Sequence, residues 1–495
     1  MLFTSVTFGF FLIFVFTLYW FVFNRNIKYQ NIFLLCCSYL FYGWWDYRFL
    51  ILLFFISFSN YLIAIQLKKT EKGTLIKGLF ILGLIINIGV LVIFKYFNFF
   101  IDGFINVVSL FGITLNLRNL NIIMPVGISF YIFLCISYLV DVKQKKIQPA
   151  KNFVDTLLAF SFFPIILAGP IQRPIGLLPQ IQSVRTFQYE KAKDGLKQIL
   201  WGVFMKIVIA DNCAVSVDTI FSNSINYSGS TLILGIILYA IQIYADFAGY
   251  SNIAIGVGKL IGFEIMQNFN YPYFSRDIRE FWKKWNMSLT SWFRDYVFLP
   301  IAYSISRKIK TDRFCLIKTE FIIYTVGITV TWILTGLWHG ANYTFILWGL
   351  IHGFFLIMNH LISKPRKRLL KRLHISGDGK ILVIADFLLT TGIILFSWIF
   401  FRADNVGNAL TYISGIFSSS FFSIPSFLGM KTFFITVPFI MIFFILEWTG
   451  RNWEYAIAEI GSNWYKPVRW IMYYCIIATI IWFSGKEQQF IYFQF

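Results

Sequence analysis

Apolar residues in this chain come in long runs, not in strict alternation. Leu79–Phe94 and Phe433–Leu446 contain no charged side chain. A membrane-crossing helix needs about 20 mostly apolar residues. Runs of that kind predict helices over 6–23, 31–45, 48–66, 79–97, 125–141, 195–212, 230–246, 319–336, 342–362, 381–400, 432–448 and 467–484. The stretch 153–170 is equally apolar but holds Pro164, Gly169 and Pro170, which predicts a re-entrant hairpin. No repeat or low-complexity linker interrupts the pattern, so 1–495 reads as one domain. The expected fold is all-α, a polytopic transmembrane bundle of about 11–13 helices plus re-entrant segments.

One segment departs from the runs. Ile278, Phe281, Trp285, Leu289 and Trp292 recur at helical spacing, with Lys283, Lys284 and Arg294 on the other side. Asp277 can cap this helix, and Glu280 stands three residues on. An aromatic stripe opposite bases predicts one helix lying at the membrane interface.

Composition agrees with a lipid solvent. Hydrophobic residues are 58% and charged residues 13% of the chain, against about 25% charged in soluble domains. The net charge of +20 would suggest nucleic acid in a soluble protein. Here the bases sit in alternate loops: Arg25 and Lys28, then Lys68 to Lys77, Lys143 to Lys151, Arg276 to Lys318, and Lys364 to Arg372. The other loops hold only Arg48, Arg118, Arg402, Lys431 and Lys486. Basic loops stay in the cytoplasm. Both termini then face the periplasm, provided 153–170 does not cross. Met1–Thr7 has no base and no cleavage site follows, so the first run reads as an uncleaved helix. The cysteines Cys36, Cys37, Cys135, Cys213, Cys315 and Cys475 have no ligand-like spacing, and no metal is expected.

Chemistry has few places to reside. Of four histidines, His360 ends a span and His374 follows a basic loop, whereas His339 and His352 lie in apolar sequence. Ionisable groups at membrane depth are functional candidates. Were 339–352 one helix, the two rings would be separated by about 20 Å of rise and would point in different directions. His352 then reads as a helix-face residue hydrogen-bonded across the bundle. Gly336 and Gly340 bracket His339 and predict an irregular backbone there. Asn286 would fall on the apolar stripe with Trp282, Leu289 and Phe293, where a buried amide needs a partner. Lys95, Lys206, Asp246, Asp386 and Glu447 are further charges within apolar runs. Asp246 reads as structural, paired with a base in the re-entrant core, with a functional role as the alternative. GxSxG, HExxH, Walker A and GxGxxG motifs are absent, which leaves serine-elbow, zinc-hydrolase and ATP-driven mechanisms without support.

Six segments together resemble the membrane-bound O-acyltransferase family. They are MPVGISFYIFLCISYLVDV (124–142), FFPIILAGPIQRP (162–174), YADFAGYSNIAIGVGKLIGF (244–263), NFNYPYFSRDIREFWKKWNMSLTSWFRDYVFLP (268–300), TGLWHGANYTFILWGLIHG (335–353) and FFRA (400–403). The likeness starts near FYGWWDYRF (41–49) and runs to about 403. It is closest to the bacterial polysaccharide O-acetylase branch, which includes alginate O-acetylases. The resemblance implies that His339 is the catalytic histidine and that Asn286 occupies a second site position, held by His or Asn across members. Trp338, Arg294, Asp295, Asp246 and His352 are further supporting candidates. It implies a bundle around a central tunnel in the bacterial inner membrane, with no bound cofactor. Acetyl-CoA would be the cytoplasmic donor and an envelope polysaccharide the acceptor, through a periplasmic SGNH-type partner. Peptidoglycan O-acetylation and teichoic acid D-alanylation are the alternatives on the same fold. A secondary transporter of a lipid-linked sugar is the alternative of another class, although no paired halves are visible. A hydroxyl attacking a thioester needs a base, and imidazole with its unperturbed pKa of about 6.5 suits that task.

The alternating loops make a topology prediction. A reporter that fluoresces only in the cytoplasm, fused after Phe495, stays dark in a full-length inserted fusion. Bright cells would overturn the orientation.

Overall fold

In the computed structural model the chain is almost wholly helical. It describes residues 1–114, 119–120, 122–314, 317–485 and 488–491. Arg118, Cys315, Lys486 and Phe495, named above, lie outside them. Every candidate span coincides with a helix. Seven helices among the described residues are long and apolar enough to cross a membrane, and Val6–Phe21 and Phe433–Thr449 are shorter apolar ones. Asn26, Asn152, Asp277, Asn342 and Asn405 each accept a backbone N–H at a helix start, where the first turn has no internal acceptor.

The chain folds into two compact units: 1–199 with 250–266, and 200–249 with 267–495. The units interleave in sequence, which is why no linker marks them.

In the first unit, Ile128–Lys143 is buried on nearly every side, as suits a helix apolar all round. Gly73–Ser109 turns most of its apolar surface outward. Between it and Phe49–Lys69, Asn60 and Asn87 exchange amide hydrogen bonds of 3.2 and 2.9 Å. The 153–170 stretch forms only a short helix, Phe153–Ser161. Its nine residues reach about 13 Å, too little to cross. Phe162–Arg173 then runs buried without regular helix. Irregular backbone at membrane depth is tolerated only where protein or a water-filled cavity surrounds it. Gly127, at φ +75°, lets this segment approach: a Cβ there would stand 2.1 Å from the Ile166 carbonyl oxygen.

In the second unit, Thr319–His339 and Tyr343–Arg372 form a tight hairpin. Lys380–Arg402 packs on its second arm. The arms touch backbone to backbone. A Cβ on Gly336 would meet the Phe345 carbonyl oxygen at 2.2 Å, and one on Gly349 the Trp332 oxygen at 2.2 Å. Small residues let membrane helices pack this closely. The basic end of Tyr343–Arg372 is tied to Lys380–Arg402 by Arg366 and Asp386 at 2.8 Å.

The interfacial helix differs from its expectation. Two helices stand in its place, Ile278–Lys284 and Met287–Phe293. Asp277 caps the first as expected. Burial alone would push the Glu280 carboxyl up, but the Arg276 N–H and the Lys284 ammonium hold it below its ordinary range. The break falls at Asn286, in the left-handed region at φ +42°, which Asn tolerates better than most residues. Its cause is tertiary. The extended segment Asn268–Asn270 takes the hydrogen bonds of the break: Met287 N–H donates to the Asn268 carbonyl (2.8 Å) and Asn270 N–H to the Lys284 carbonyl (2.9 Å).

The hairpin generates a stability prediction. Gly349→Ala forces the two arms apart and costs about 1–3 kcal/mol, the range for overpacking. Its thermal midpoint in detergent falls below that of Gly392→Ala, where a Cβ meets nothing within 4 Å. Equal midpoints would show that the arms are not held in close backbone contact.

Candidate active site

His339 is the last residue of Thr319–His339, and Gly340 to Asn342 break the chain before Tyr343. The irregular point expected at His339 is present. The same break removes the premise that separated His339 from His352. The hairpin folds the second arm back, and Trp348 lies between the two imidazoles, its centroid 4.9 Å from each. His339 also touches Trp338 at 4.8 Å and Phe401 at 4.9 Å. It is 4% exposed.

His352 is buried completely. Trp282 Nε1–H donates to its Nδ1 at 3.2 Å, so it is hydrogen-bonded across the bundle as expected. Indole only donates, so Nδ1 is an acceptor and neutral His352 carries its proton on Nε2. Trp282 and Trp332 pack against it at 4.8 and 5.4 Å. His352 therefore belongs to the same aromatic cage as His339.

A cavity of about 570 Å³ opens beside this cage. Arg279, Lys283 and Arg294 line it, together with Thr290 and Ser291; Trp282, Trp332, Thr331 and Thr335 form its wall on the cage side. Thr331, Thr335 and His339 are four residues apart, so they follow one face of their helix with about 6 Å of rise per step. The wall of the cavity thus points along the helix toward His339. Its cations suit phosphate oxygens and its aromatic wall suits an apolar tail.

The other candidates divide. Asn286 is buried at the break, and its carbonyl accepts from Thr290 N–H (3.0 Å). Its neighbour Trp285 packs on Trp398, which packs on Trp348. Asn286 is therefore tied to the cage through its neighbours and not through a helical stripe. Trp338 sits against His339. Exposed Arg294 lines the cavity and pairs at 2.8 Å with half-buried Asp295, which lies outside the lining. Both stand in a single π-helical turn, Arg294–Phe298, a feature frequent at functional sites.

Asp246 is ion-paired, but its partner differs from the expected base in the re-entrant core. Lys206, from the π-helical turn Met205–Ala210, bonds Asp246 at 2.8 Å and Asp211 at 2.7 Å. Its ammonium also donates to the Gln488 carbonyl, and Asp246 accepts from Ile491 N–H. A buried charge is tolerated only when paired and hydrogen-bonded. Elsewhere, Tyr244 donates to Glu447 at 2.5 Å. The cage tryptophans Trp282, Trp332, Trp348 and Trp398 were not singled out as site residues from the sequence. The spacing of Trp348 and His352, four apart on one helix face, was the signal available. Among the described residues no group of three His, Cys, Asp or Glu is placed to hold a metal.

The model of the MBOAT, membrane-bound O-acyltransferase family, matches residues 152–403. The probable alginate O-acetylase AlgI of Pseudomonas aeruginosa is 33% identical over 392 residues, covering 79% of this chain and 70% of that protein. The protein of the same name from Pseudomonas putida is 30% identical over 487 residues, 94% and 95% of the two chains. The peptidoglycan O-acetyltransferase of Helicobacter pylori is 30% identical over 418 residues, 79% and 74% of the two.

The ion cluster makes a prediction apart from catalysis. Lys206→Met strands two buried carboxylates and destabilises the chain by about 3–5 kcal/mol. Adding Asp211→Asn and Asp246→Asn restores most of the loss. Thermal unfolding of the full chain in detergent reads both. A Lys206→Met protein as stable as wild type would show the pairing to be incidental.

Proposed function

Because the chain belongs to the membrane-bound O-acyltransferase family, we propose that it moves an acetyl group from acetyl-CoA in the cytoplasm to hydroxyls of an envelope polysaccharide, with His339 as the base. It is an O-acyltransferase of the membrane, and the transporter alternative is set aside. The observation that carries the finer reading is the position of His339. It stands at a helix break, buried in an aromatic cage, in line with Thr331 and Thr335 of a cavity lined by three bases.

Each part has a task. Arg279, Lys283 and Arg294 attract the donor's phosphates. The apolar cavity takes the pantetheine arm, and the thioester comes to the cage. His339 removes the acceptor's proton as its oxygen adds to the acyl carbon, and returns that proton to the leaving thiolate. The C-terminal end of the Thr319–His339 helix favours the imidazolium formed in between. Asn286 orients the donor from a break whose flanking backbone is hydrogen-bonded to Asn268–Asn270. The cage keeps water from the thioester. The acceptor arrives from the periplasmic side, through an SGNH-type partner in the same inner membrane system. An alginate-like polymer is favoured over peptidoglycan because the most extensive of these matches, to the Pseudomonas putida protein, is to a probable alginate O-acetylase.

His339→Ala should insert normally yet lose envelope O-acetylation by about 10²–10⁴-fold, the usual weight of a general base. Asn286→Ala falls between it and wild type, and Asn286→His is milder than Asn286→Ala. Acetate released by mild base, assayed separately from exopolysaccharide and peptidoglycan and normalised to membrane-inserted protein, reads both rate and acceptor. Near-wild-type acetylation in His339→Ala would overturn the assignment.

A further inference from the structure

Trp348 Nε1 and His352 Nε2, neighbouring N–H donors inside the cage, find no acceptor among the described residues. Both side chains are buried, at 1% and 0% exposure. They stand four residues apart on one helix, with rings 4.9 Å apart. The Trp348 ring also packs against His339 at 4.9 Å. Buried donors are nearly always satisfied, so two together beside a candidate base call for an acceptor. Trp282 makes the His352 donor obligatory: by giving its own N–H to Nδ1 it fixes the imidazole proton on Nε2. Trp282 and Trp332 also line the cavity that ends against this cage.

We propose that Trp348 Nε1–H and His352 Nε2–H bind the carbonyl oxygen of the acyl donor and hold it as an oxyanion during transfer. This rests on the reading of His339 as the base for a thioester donor. As the acceptor oxygen bonds the acyl carbon, the carbonyl π pair moves onto oxygen, and the two N–H groups meet that charge. The acceptor proton passes to His339. The carbonyl then re-forms, the C–S bond breaks, and the thiolate takes the proton back from His339. Fixed donors aimed at developing charge in a water-excluded site act more strongly than in water. His352 is thus a donor with a role of its own, distinct from the base.

The test uses two probes that differ in one acceptor atom, S-acetonyl-CoA and S-(2-methylallyl)-CoA, the second with C=CH₂ in place of C=O. Calorimetry on the full chain in nanodiscs should give wild type about a tenfold preference for the ketone, the worth of a good hydrogen bond in a dry site. Trp348→Phe removes the indole N–H and keeps an aromatic ring, at some cost in buried packing, and His352→Leu removes the other donor. Each should bring the two affinities closer, while binding of the methylallyl probe stays unchanged and reports an intact fold. In turnover, Trp348→Phe lowers kcat by about 10²–10³-fold with little change in KM. Should His352→Leu loosen the cage, Trp348→Phe alone decides the matter. A ketone preference that survives in Trp348→Phe, or no preference in wild type, overturns the inference and leaves the base assignment standing. If wild type binds neither probe, the coenzyme A donor falls and this inference with it.

Discussion

A hydrocarbon bilayer offers no hydrogen bonds, and that lack decides where this chain can stop being a helix. Every N–H and C=O left open at membrane depth must find a partner inside the protein. Breaks in the helical pattern are therefore costly, and they are found where other segments supply the missing bonds. Asn286 turns left-handed because Asn268–Asn270 takes the bonds on either side. Gly340–Asn342 is restarted by the Asn342 cap. Phe162–Arg173 is buried. Two of these breaks hold the residues with the strongest claim to chemistry.

The same constraint governs charge. Lys206 sits among apolar helices because two carboxylates and a carbonyl surround its ammonium. The cluster ties Gln488 and Ile491 to the helices that carry it. It is a structural clasp built from catalytic-looking residues, and only its partners reveal this. His339 presents the opposite case. The rings of Trp338, Trp348 and Phe401 pack around its imidazole.

Aromatic packing gives the site its precision. Trp348 touches both imidazoles, and Trp282 and Trp332 face the cavity on one side and His352 on the other. Large rigid rings leave few alternative rotamers, so the nitrogen atoms they carry are held in place. Gly336 and Gly349 make this possible by letting the hairpin arms close until the rings interdigitate.

The sequence alone determined the membrane setting and the helices, and it singled out His339 as the candidate base. These rest on local facts: run length against bilayer thickness, glycines flanking a histidine, and motifs in a fixed order. The helix break within 153–170 was also legible, since prolines and a glycine stop a helix wherever it lies. Three things were settled only by the tertiary structure. The aromatic helix broke at Asn286 because its hydrogen bonds went to a segment some eighteen residues earlier in the chain. Lys206, from another helix, was the partner of Asp246. His352 joined His339 because the chain reversed between them, and spacing along one helix has no meaning across a turn. Periodicity reports which way a side chain faces on its own helix; what it meets there depends on residues distant in sequence, and that is where this site was made.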